Sequence, residues 1–323
     1  MSRQNKKFLA AIALLMCVLI FPVIYLGLQD DDRPVIGISL YDMKFDFFKE
    51  MEKGARTHLE EMSYRSVVED QRSDTNKQIE SCLELIGAGI KALIVSPINS
   101  TAMSRIIKEA HGKNIYVIVI DIGCNDPNYD AYVVSDGIEG GRMAGEFLKD
   151  VLERENKTTA RVAVFRNNPE VAVAHSRGDG FLEIASEYGW YKEADIVAEG
   201  ETEPAYRKMS EMLRGGSKVD VVFCTNDPMA LGVSRACIDN ERKDVRIIGF
   251  NGDVEALSAI REGKMLATIQ MYPYAMGEIA ADLADMLIRD VPIDFDLPDS
   301  KTVLIPVALI HEGNVDNAYK SLH

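Results

Sequence analysis

The stretch VIGISLYDMKFDFFKEMEKGA, Val35 to Ala55, joins a short, mostly apolar run to a segment of helical period. VIGISLY is apolar on both faces, which is typical of a strand buried in a parallel sheet. Four aromatic residues, Tyr41, Phe45, Phe47 and Phe48, stand where the strand gives way to the helix. Ligands of open parallel sheets bind beyond the carboxyl ends of the strands. These aromatics are therefore candidates for a binding surface as well as for the core.

The same alternation of strand and helix recurs along the chain in two series. The predicted strands of the first series are 35–41, 66–70, 92–97 and 116–121, those of the second are 161–166, 219–224 and 245–250, and 131–136 lies between the two. Helical segments of about 10 to 15 residues separate them, which indicates parallel sheets covered on both faces. The chain is therefore predicted to form two doubly wound α/β domains of similar size.

The first 33 residues have a different character and are predicted to form a cytoplasmic stub, a membrane anchor and a linker. Phe8 to Leu28 is a run of 21 residues without a charge, preceded by Arg3, Lys6 and Lys7. About 20 apolar residues span a bilayer as a helix, and basic residues before the span keep the N-terminus inside. The remainder is expected outside the cytoplasmic membrane, in the periplasm or at the cell surface. The exit YLGLQDDD favours an uncleaved anchor over a cleaved signal peptide, and both stay open.

Composition and motifs exclude several classes of function. The formal net charge of −15 argues against a nucleic-acid partner, because such proteins need a basic face. The cysteines beyond the anchor form no C-x-x-C pair, and no histidine stands at metal-ligand spacing, so no metal site is expected. The chain also lacks G-x-S-x-G, G-x-x-x-x-G-K-[ST] and H-E-x-x-H. We therefore expect no cofactor and no enzymatic activity.

Polar side chains follow the predicted strands at their carboxyl ends. They are Tyr41, Asp42, Ser96, Asp121, Asp136, Asn226, Asp227, Asn251 and Asp253, with His175 and Arg177 at the start of a helix. Carboxylates, amides and one guanidinium suit a polyhydroxylated ligand, because each hydroxyl both donates and accepts a hydrogen bond. The C–H faces of a sugar ring pack against aromatic rings. The strand exits therefore predict a monosaccharide or a similar small polyol.

A series of motifs supports this interpretation. IGISLYDMKFDFFKEMEKGA, ALIVSPINSTA, VIVID, VVSDGIEGGRMAGEFL, RGDGF, VVFCTNDPMALGV, IIGFNG and IREGKMLATIQ occur in the order of the type 1 periplasmic sugar-binding proteins. Over residues 34 to 310 the sequence resembles this family, in particular its ribose- and galactose-binding members. The resemblance implies a substrate-binding protein of an ABC transporter, in which two domains joined by three crossovers close around the ligand.

On this pattern we predict an N-terminal subdomain of residues 34–135 plus 273–301 and a C-terminal subdomain of residues 136–272 plus 302–323. The three crossovers are expected near Ser135–Asp136, Met271–Pro273 and Lys301–Thr302.

The resemblance also implies which residues bind the ligand. The candidates are Tyr41, Asp46, Phe47, Phe48, Ser96, Asp121, His175, Arg177, Asn226, Asn251 and Met271. Phe47 and Phe48 resemble the aromatics that stack on the sugar. Asp121 and Arg177 resemble the carboxylate and guanidinium that bind its hydroxyls, and Asn226 resembles the amide of the second domain.

Four positions depart from the family pattern. Ser96 stands where asparagine is common, Ile122 where the ribose-binding protein has arginine, Asn251 where aspartate is usual and Met271 where glutamine or asparagine is usual. The segment GETEP, residues 200–204, also lacks the usual stacking aromatic. These departures imply a ligand other than ribose or galactose. No galactose-type calcium loop is visible.

Other interpretations of the same residues stay open. Phe48 also fits a helix core, because an apolar face continues along that helix. Asp121 and Asn226 also fit simple strand-end caps, and His175 a helix start. The receptor could serve an ABC permease, or it could signal to a sensor kinase or chemoreceptor. A cytoplasmic regulator like the lactose repressor is disfavoured, because an apolar anchor stands where a DNA-binding motif would be.

Overall fold

Two six-stranded sheets organise the structure, a computed structural model that describes residues 32–99, 101–169 and 172–321. The first sheet contains β1 (Val35–Leu40), β2 (Arg65–Asp70), β3 (Ala92–Val95), β4 (Tyr116–Ile120), β5 (Ala131–Ser135) and β11 (Thr302–Ile305). The second contains β6 (Arg161–Arg166), β7 (Tyr191–Val197), β8 (Val221–Cys224), β9 (Arg246–Asn251), β10 (Ala267–Gln270) and β12 (Ala308–His311). Both sheets lie within one unit that begins at Val35.

Helices connect the strands. They are α1 (Asp46–Glu61), α2 (Thr75–Gly87), α3 (Met103–His111), α4 (Gly137–Arg154), α5 (Ala172–Glu187), α6 (Thr202–Arg214), α7 (Asp227–Asp239), α8 (Val254–Arg261), α9 (Pro273–Ile288) and α10 (Val315–Ser321). Side chains cap several of them: Asp74, Asp136 and Asn226 accept hydrogen bonds from backbone N–H groups in the first turns of α2, α4 and α7. These caps satisfy N–H groups that have no partner within the helix.

The two sheets share one topology. The strand order is β11-β5-β4-β3-β1-β2 in the first and β12-β10-β9-β8-β6-β7 in the second. Within these two sheets neighbouring strands are parallel, except β10 and β12, which are antiparallel. The strand order reverses between β1 and β3 in one sheet and between β6 and β8 in the other. Such reversals open a crevice at the carboxyl ends of the strands, where ligands of doubly wound folds bind.

We call the first sheet with the helices packed on it the first lobe, and the second sheet with its helices the second lobe. The chain passes to the second lobe between β5 and α4 and returns to the first between β10 and α9, which packs against α1. One predicted boundary is wrong. We expected the third crossover at Lys301–Thr302, but Thr302–Ile305 pairs with β5 in the first sheet, so the chain crosses at Pro306–Val307 instead.

The predicted membrane anchor, Phe8 to Leu28, lies outside the described residues. Among the residues that the structure describes, no helix is both long enough and apolar enough to cross a membrane.

Candidate ligand site between the two lobes

Arg177 lies at the centre of a group of side chains from four segments of the second lobe. It is only 6% exposed. Its Nη1 donates hydrogen bonds to the Thr225 carbonyl at 2.8 Å and to Asn251 Oδ1 at 3.2 Å, and its Nη2 donates to Met271 Sδ at 3.4 Å. The Phe250 ring lies against the guanidinium, 4.2 Å from its central carbon. The structure therefore brings three predicted site residues, Arg177, Asn251 and Met271, into direct contact.

The backbone beneath Arg177 is held by a close crossing of α4 and α5. A Cβ at Gly141 would lie 2.1 Å from the Arg177 carbonyl oxygen, so only glycine permits this approach. The predicted motif EGGRMAGEF supplies that glycine on α4. The crossing therefore brings the Arg177 backbone into close contact with α4.

The Arg177 guanidinium keeps unused hydrogen-bonding capacity. Its Nε is buried and has no hydrogen-bond partner within the described residues. Burial lowers the Arg177 pKa, while the nearby carboxylates of Asp121, Asp227 and Asp253 act to raise it. A buried donor without an acceptor costs free energy. Nε is therefore placed to donate to an acceptor atom of a ligand.

Asp121 faces this group from the first lobe. It follows β4 directly, with a φ of +61°, and is 7% exposed. The carboxylate accepts no hydrogen bond from the described residues, and burial raises its pKa to about 6 although the Arg177 charge acts to lower it. The two charges interact through space rather than in a direct ion pair. Asp121 and Arg177 thus present an unused acceptor and an unused donor from opposite lobes.

The aromatics at the start of α1 divide into two kinds. Phe48 is buried in the hydrophobic core of the lobe, where Tyr41 stacks on it at 5.5 Å between ring centroids. Phe47 is half-buried and meets Phe48 edge-on at 5.2 Å. Phe45 is exposed and lies under the Lys44 ammonium. Phe48 therefore packs in the core, whereas Tyr41 and Phe47 are only partly buried, and contact of either ring with a ligand stays a prediction.

Buried polar atoms lie at the carboxyl ends of β2 and β3. Ser96 is fully buried and its Oγ has no hydrogen-bond partner among the described residues. Gln71 donates through Nε2 to the carbonyls of Ser39 and Ser96, while its Oε1 has no partner there. Ser96 was a predicted site residue, whereas Gln71 was not predicted. Both leave unused acceptor atoms at the strand exits of the first lobe.

The Asn226 side chain is largely used within the second lobe. Its Oδ1 accepts from the Met229 N–H at 3.0 Å and its Nδ2 donates to the Gly200 carbonyl at 2.8 Å. This is the helix-cap interpretation that the sequence left open. Because Asn226 follows Thr225, it still lies beside the Arg177 group, and its contact with a ligand stays a prediction.

Two further predicted residues are not brought into the Arg177 group. The Asp46 side chain is 90% exposed and bonds to Lys49 at 2.7 Å on the same helix. The His175 ring pairs through Nε2 with the Asn168 carbonyl at 3.2 Å. Their hydrogen bonds are local, so their roles in binding stay predictions.

A separate groove of about 1000 Å³ lies at the amino ends of β9 and β10, away from the strand exits. Its lining mixes apolar side chains with charged ones, some of which pair with one another. Arg246 forms an ion pair with Glu155, and Lys264 with Glu262. The charges in each of these two pairs compensate one another, and neither pair is buried as Asp121 and Arg177 are.

The profile of a known family covers most of the chain. The family described as "Periplasmic binding protein domain" matches residues 36–290. The chain belongs to this family. Its resemblance to the type 1 periplasmic sugar-binding proteins is thereby confirmed, and it is a binding protein rather than an enzyme.

Three similar proteins show the extent of the likeness. The ribose import binding protein RbsB of Bacillus subtilis (strain 168) is 29% identical over 278 residues, which cover 85% of this chain and 86% of that protein. The D-ribose/D-allose-binding protein of Pseudomonas aeruginosa is 25% identical over 280 residues, covering 83% and 86% respectively. A solved ABC transporter solute binding protein from Bacillus halodurans C-125, with bound myo-inositol, matches in fold with a TM-score of 0.78 at 21% identity and covers 90% of this chain and 99% of that one.

Proposed function

We propose that this protein binds one small neutral sugar or polyol between its two lobes and delivers it to an ABC permease. The observation that carries the proposal is the opposition of Asp121 and Arg177. Each is buried, each keeps an unused hydrogen-bonding atom, and they belong to different lobes. A hydroxylated ligand donates to the first and accepts from the second, and hydrogen bonds to charged groups are the stronger ones.

The charge balance at this position favours a neutral ligand. The carboxylates of Asp121, Asp227 and Asp253 all lie near the Arg177 guanidinium, so among the described residues the site has no uncompensated positive charge to attract an anion. An uncharged molecule leaves the attraction between Asp121 and Arg177 in place. The names of the relatives support this choice, because ribose, allose and myo-inositol are all neutral polyols. Phe47 supplies an aromatic surface for the C–H face of a ring.

Closure of the lobes follows from the same contacts. A ligand shifts an equilibrium between two arrangements only by binding one of them more tightly. A sugar that touches both Asp121 and Arg177 makes its full set of contacts only when the lobes are together. The ligand therefore favours the closed arrangement, which a permease can distinguish from the open one.

We also propose that the protein works outside the cytoplasm, held at the membrane by Phe8 to Leu28. The uncharged run with basic residues before it supports this placement. Detection of the C-terminus by a reagent that cannot cross the membrane would support it, and protection of the C-terminus in intact cells would contradict it.

The decisive experiment is a thermal-shift measurement on the purified full-length chain in detergent with D-ribose, D-allose and myo-inositol, followed by a wider set of sugars and polyols and a set of amino acids. A ligand that binds only the folded protein at a hundredfold excess over Kd raises the free energy of unfolding by about 2.7 kcal/mol. We expect a clear shift from at least one neutral polyol. A shift from amino acids alone would overturn the proposal.

Phe47→Ala is expected to weaken binding of that sugar by about 1 kcal/mol, because a ring that packs against the ligand is lost. The free energy of unfolding should change less, since Phe47 is only half-buried. Calorimetric titration and urea unfolding measure the two effects. Tyr191→Ala, which removes an aromatic side chain 59% exposed at the far edge of the second sheet, is the matched control. A loss of stability of about 3–5 kcal/mol would instead assign Phe47 to the core.

A further inference from the structure

Asp227 is a fully buried carboxylate that lies beneath the Arg177 group without belonging to it. It is the first residue of α7 and has no exposed surface. Its Oδ2 accepts hydrogen bonds from the backbone N–H groups of Gly252 and Asp253, both at 2.8 Å. Its Oδ1 accepts from the Thr268 hydroxyl at 2.7 Å. Asp227 therefore ties α7 to the turn after β9 and to β10.

The Asp227 carboxylate lies against β9 at a position where the sequence has glycine. A Cβ at Gly249 would lie 2.0 Å from Asp227 Oδ1. Any other residue at position 249 would displace the carboxylate or the strand. Because Gly249 has no side chain, the Asp227 carboxylate can pack directly against β9.

The turn that Asp227 holds is strained. Asn251 has a φ of +134° and Gly252 a φ of +83°. Such positive values are unfavourable for a residue with a side chain, and they persist only where surrounding contacts impose them. The two N–H groups that Asp227 accepts come directly after Asn251. Asp227 supplies two of the contacts that impose this conformation.

The strained residue reaches the ligand site. Asn251 Oδ1 accepts from Arg177 Nη1 at 3.2 Å, and the Asn251 carbonyl accepts from the Met271 N–H at 2.9 Å. A relaxed turn would move the Asn251 amide and release one of the bonds that orient the guanidinium. We propose that Asp227 is a positioning residue of the ligand site, which holds the turn at Asn251 so that Asn251 orients Arg177 toward the ligand. Its effect on affinity rests on the proposed function, whereas its effect on the turn does not.

The first test uses the protein without ligand. In Asp227→Ala, the amides of Gly252 and Asp253 lose their acceptor, and we expect their hydrogen exchange to become at least about tenfold faster. In Asp227→Asn, the side-chain carbonyl accepts both N–H groups and the Nδ2 donates to Thr268 Oγ1, so exchange should stay near that of the unmodified protein. Asp227→Ser, which is too short to reach both amides, replaces the alanine variant if that does not fold.

The matched control is Val233→Ala, which removes buried methyl groups on the same helix without touching the turn. It lowers stability generally. The exchange rates of the Gly252 and Asp253 amides are compared in the two variants under conditions where the variants have the same free energy of unfolding. If exchange is no faster in Asp227→Ala than in Val233→Ala, the proposal is overturned.

The second test measures affinity by titration with D-ribose, D-allose and myo-inositol. We expect Asp227→Ala to bind at least about tenfold more weakly and Asp227→Asn to stay within about threefold. Because Asp227 acts through Asn251, the loss in the double variant with Asn251→Ala should be smaller than the sum of the two single losses. Full additivity would overturn the route through Asn251. If none of the three sugars and polyols binds the unmodified protein, the proposal that they are ligands fails. The hydrogen-exchange measurement still decides whether Asp227 holds the turn at Asn251.

Discussion

Arg177→Leu is expected to weaken binding of the cognate sugar by about 1.5–3 kcal/mol, or roughly ten- to a hundredfold. The substitution removes a charged donor whose Nε has no other partner among the described residues. It also removes the positive charge that acts to lower the pKa of Asp121, so that pKa should rise above its value of about 6. Calorimetric titration measures the affinity, and an NMR titration of the Asp121 carboxyl measures the pKa.

Arg142→Leu is the matched control for this prediction. Arg142 is a 42% exposed residue of α4 that pairs with Glu183 on the surface of the second lobe. Its loss should leave both the affinity and the Asp121 pKa near their original values. Equal affinity in Arg177→Leu and in the unmodified protein would remove Arg177 from the ligand site.

Asp121→Asn is expected to stabilise the ligand-free protein at pH 7.5 by up to about 3 kcal/mol while it weakens sugar binding. Folding raises the pKa of this carboxyl from 3.8 to about 6, because burial disfavours the charged form. The folded state therefore holds this proton more tightly than the unfolded state. The resulting contribution to stability is complete below about pH 4 and is lost as the pH rises through about 6. A rise of this size corresponds to roughly 3 kcal/mol, a penalty that the uncharged asparagine avoids.

Urea unfolding at pH 4 and pH 7.5 tests this sign. The stability difference between Asp121→Asn and the unmodified protein should be largest at pH 7.5 and should vanish near pH 4. Asp46→Asn is the control, because that carboxylate is 90% exposed. If the free energy of unfolding depends on pH in the same way in Asp121→Asn and in the unmodified protein, the prediction is contradicted.

The fold followed from the sequence for most strands that are buried on both faces. The runs that became β1, β3, β4, β6 and β8 are almost entirely apolar, so the pattern identified them. β7 was missed because it is an edge strand whose residues, such as Tyr191, are largely exposed. β10, β11 and β12 were also missed, because each has only four residues and polar residues interrupt their apolar runs. The third crossover was placed too early because β11, which precedes it, was not recognised as a strand.

The site was predictable in its residues but not in their partners. The strand exits pointed to Asp121 and Asn251, and the resemblance carried by RGDGF pointed to Arg177, which lies on α5. The structure brings Arg177 and Asn251 into contact, and the binding of a ligand by all three stays a prediction. The use of Asn226 as a helix cap and the burial of Phe48 depend on side-chain direction, which neither periodicity nor motif reveals. Phe250 was read only as part of a strand, although its ring supports the guanidinium. Asp227 stood among the strand-exit residues, but its place against Gly249 depends on a tertiary contact that the sequence pattern does not reveal.

The link between β11 and β12 limits how the two lobes can move. Only Pro306 and Val307 separate a strand of the first sheet from a strand of the second. An extended chain covers at most about 3.6 Å per residue, so two residues bridge on the order of 10 Å. The lobes can rotate about this point but cannot separate there. The gap between them therefore widens with distance from the link, and the width of the entrance available to a solute is set by the angle of rotation. Inserting a few glycines between Pro306 and Val307 would relax that geometric limit without altering any residue of the ligand site.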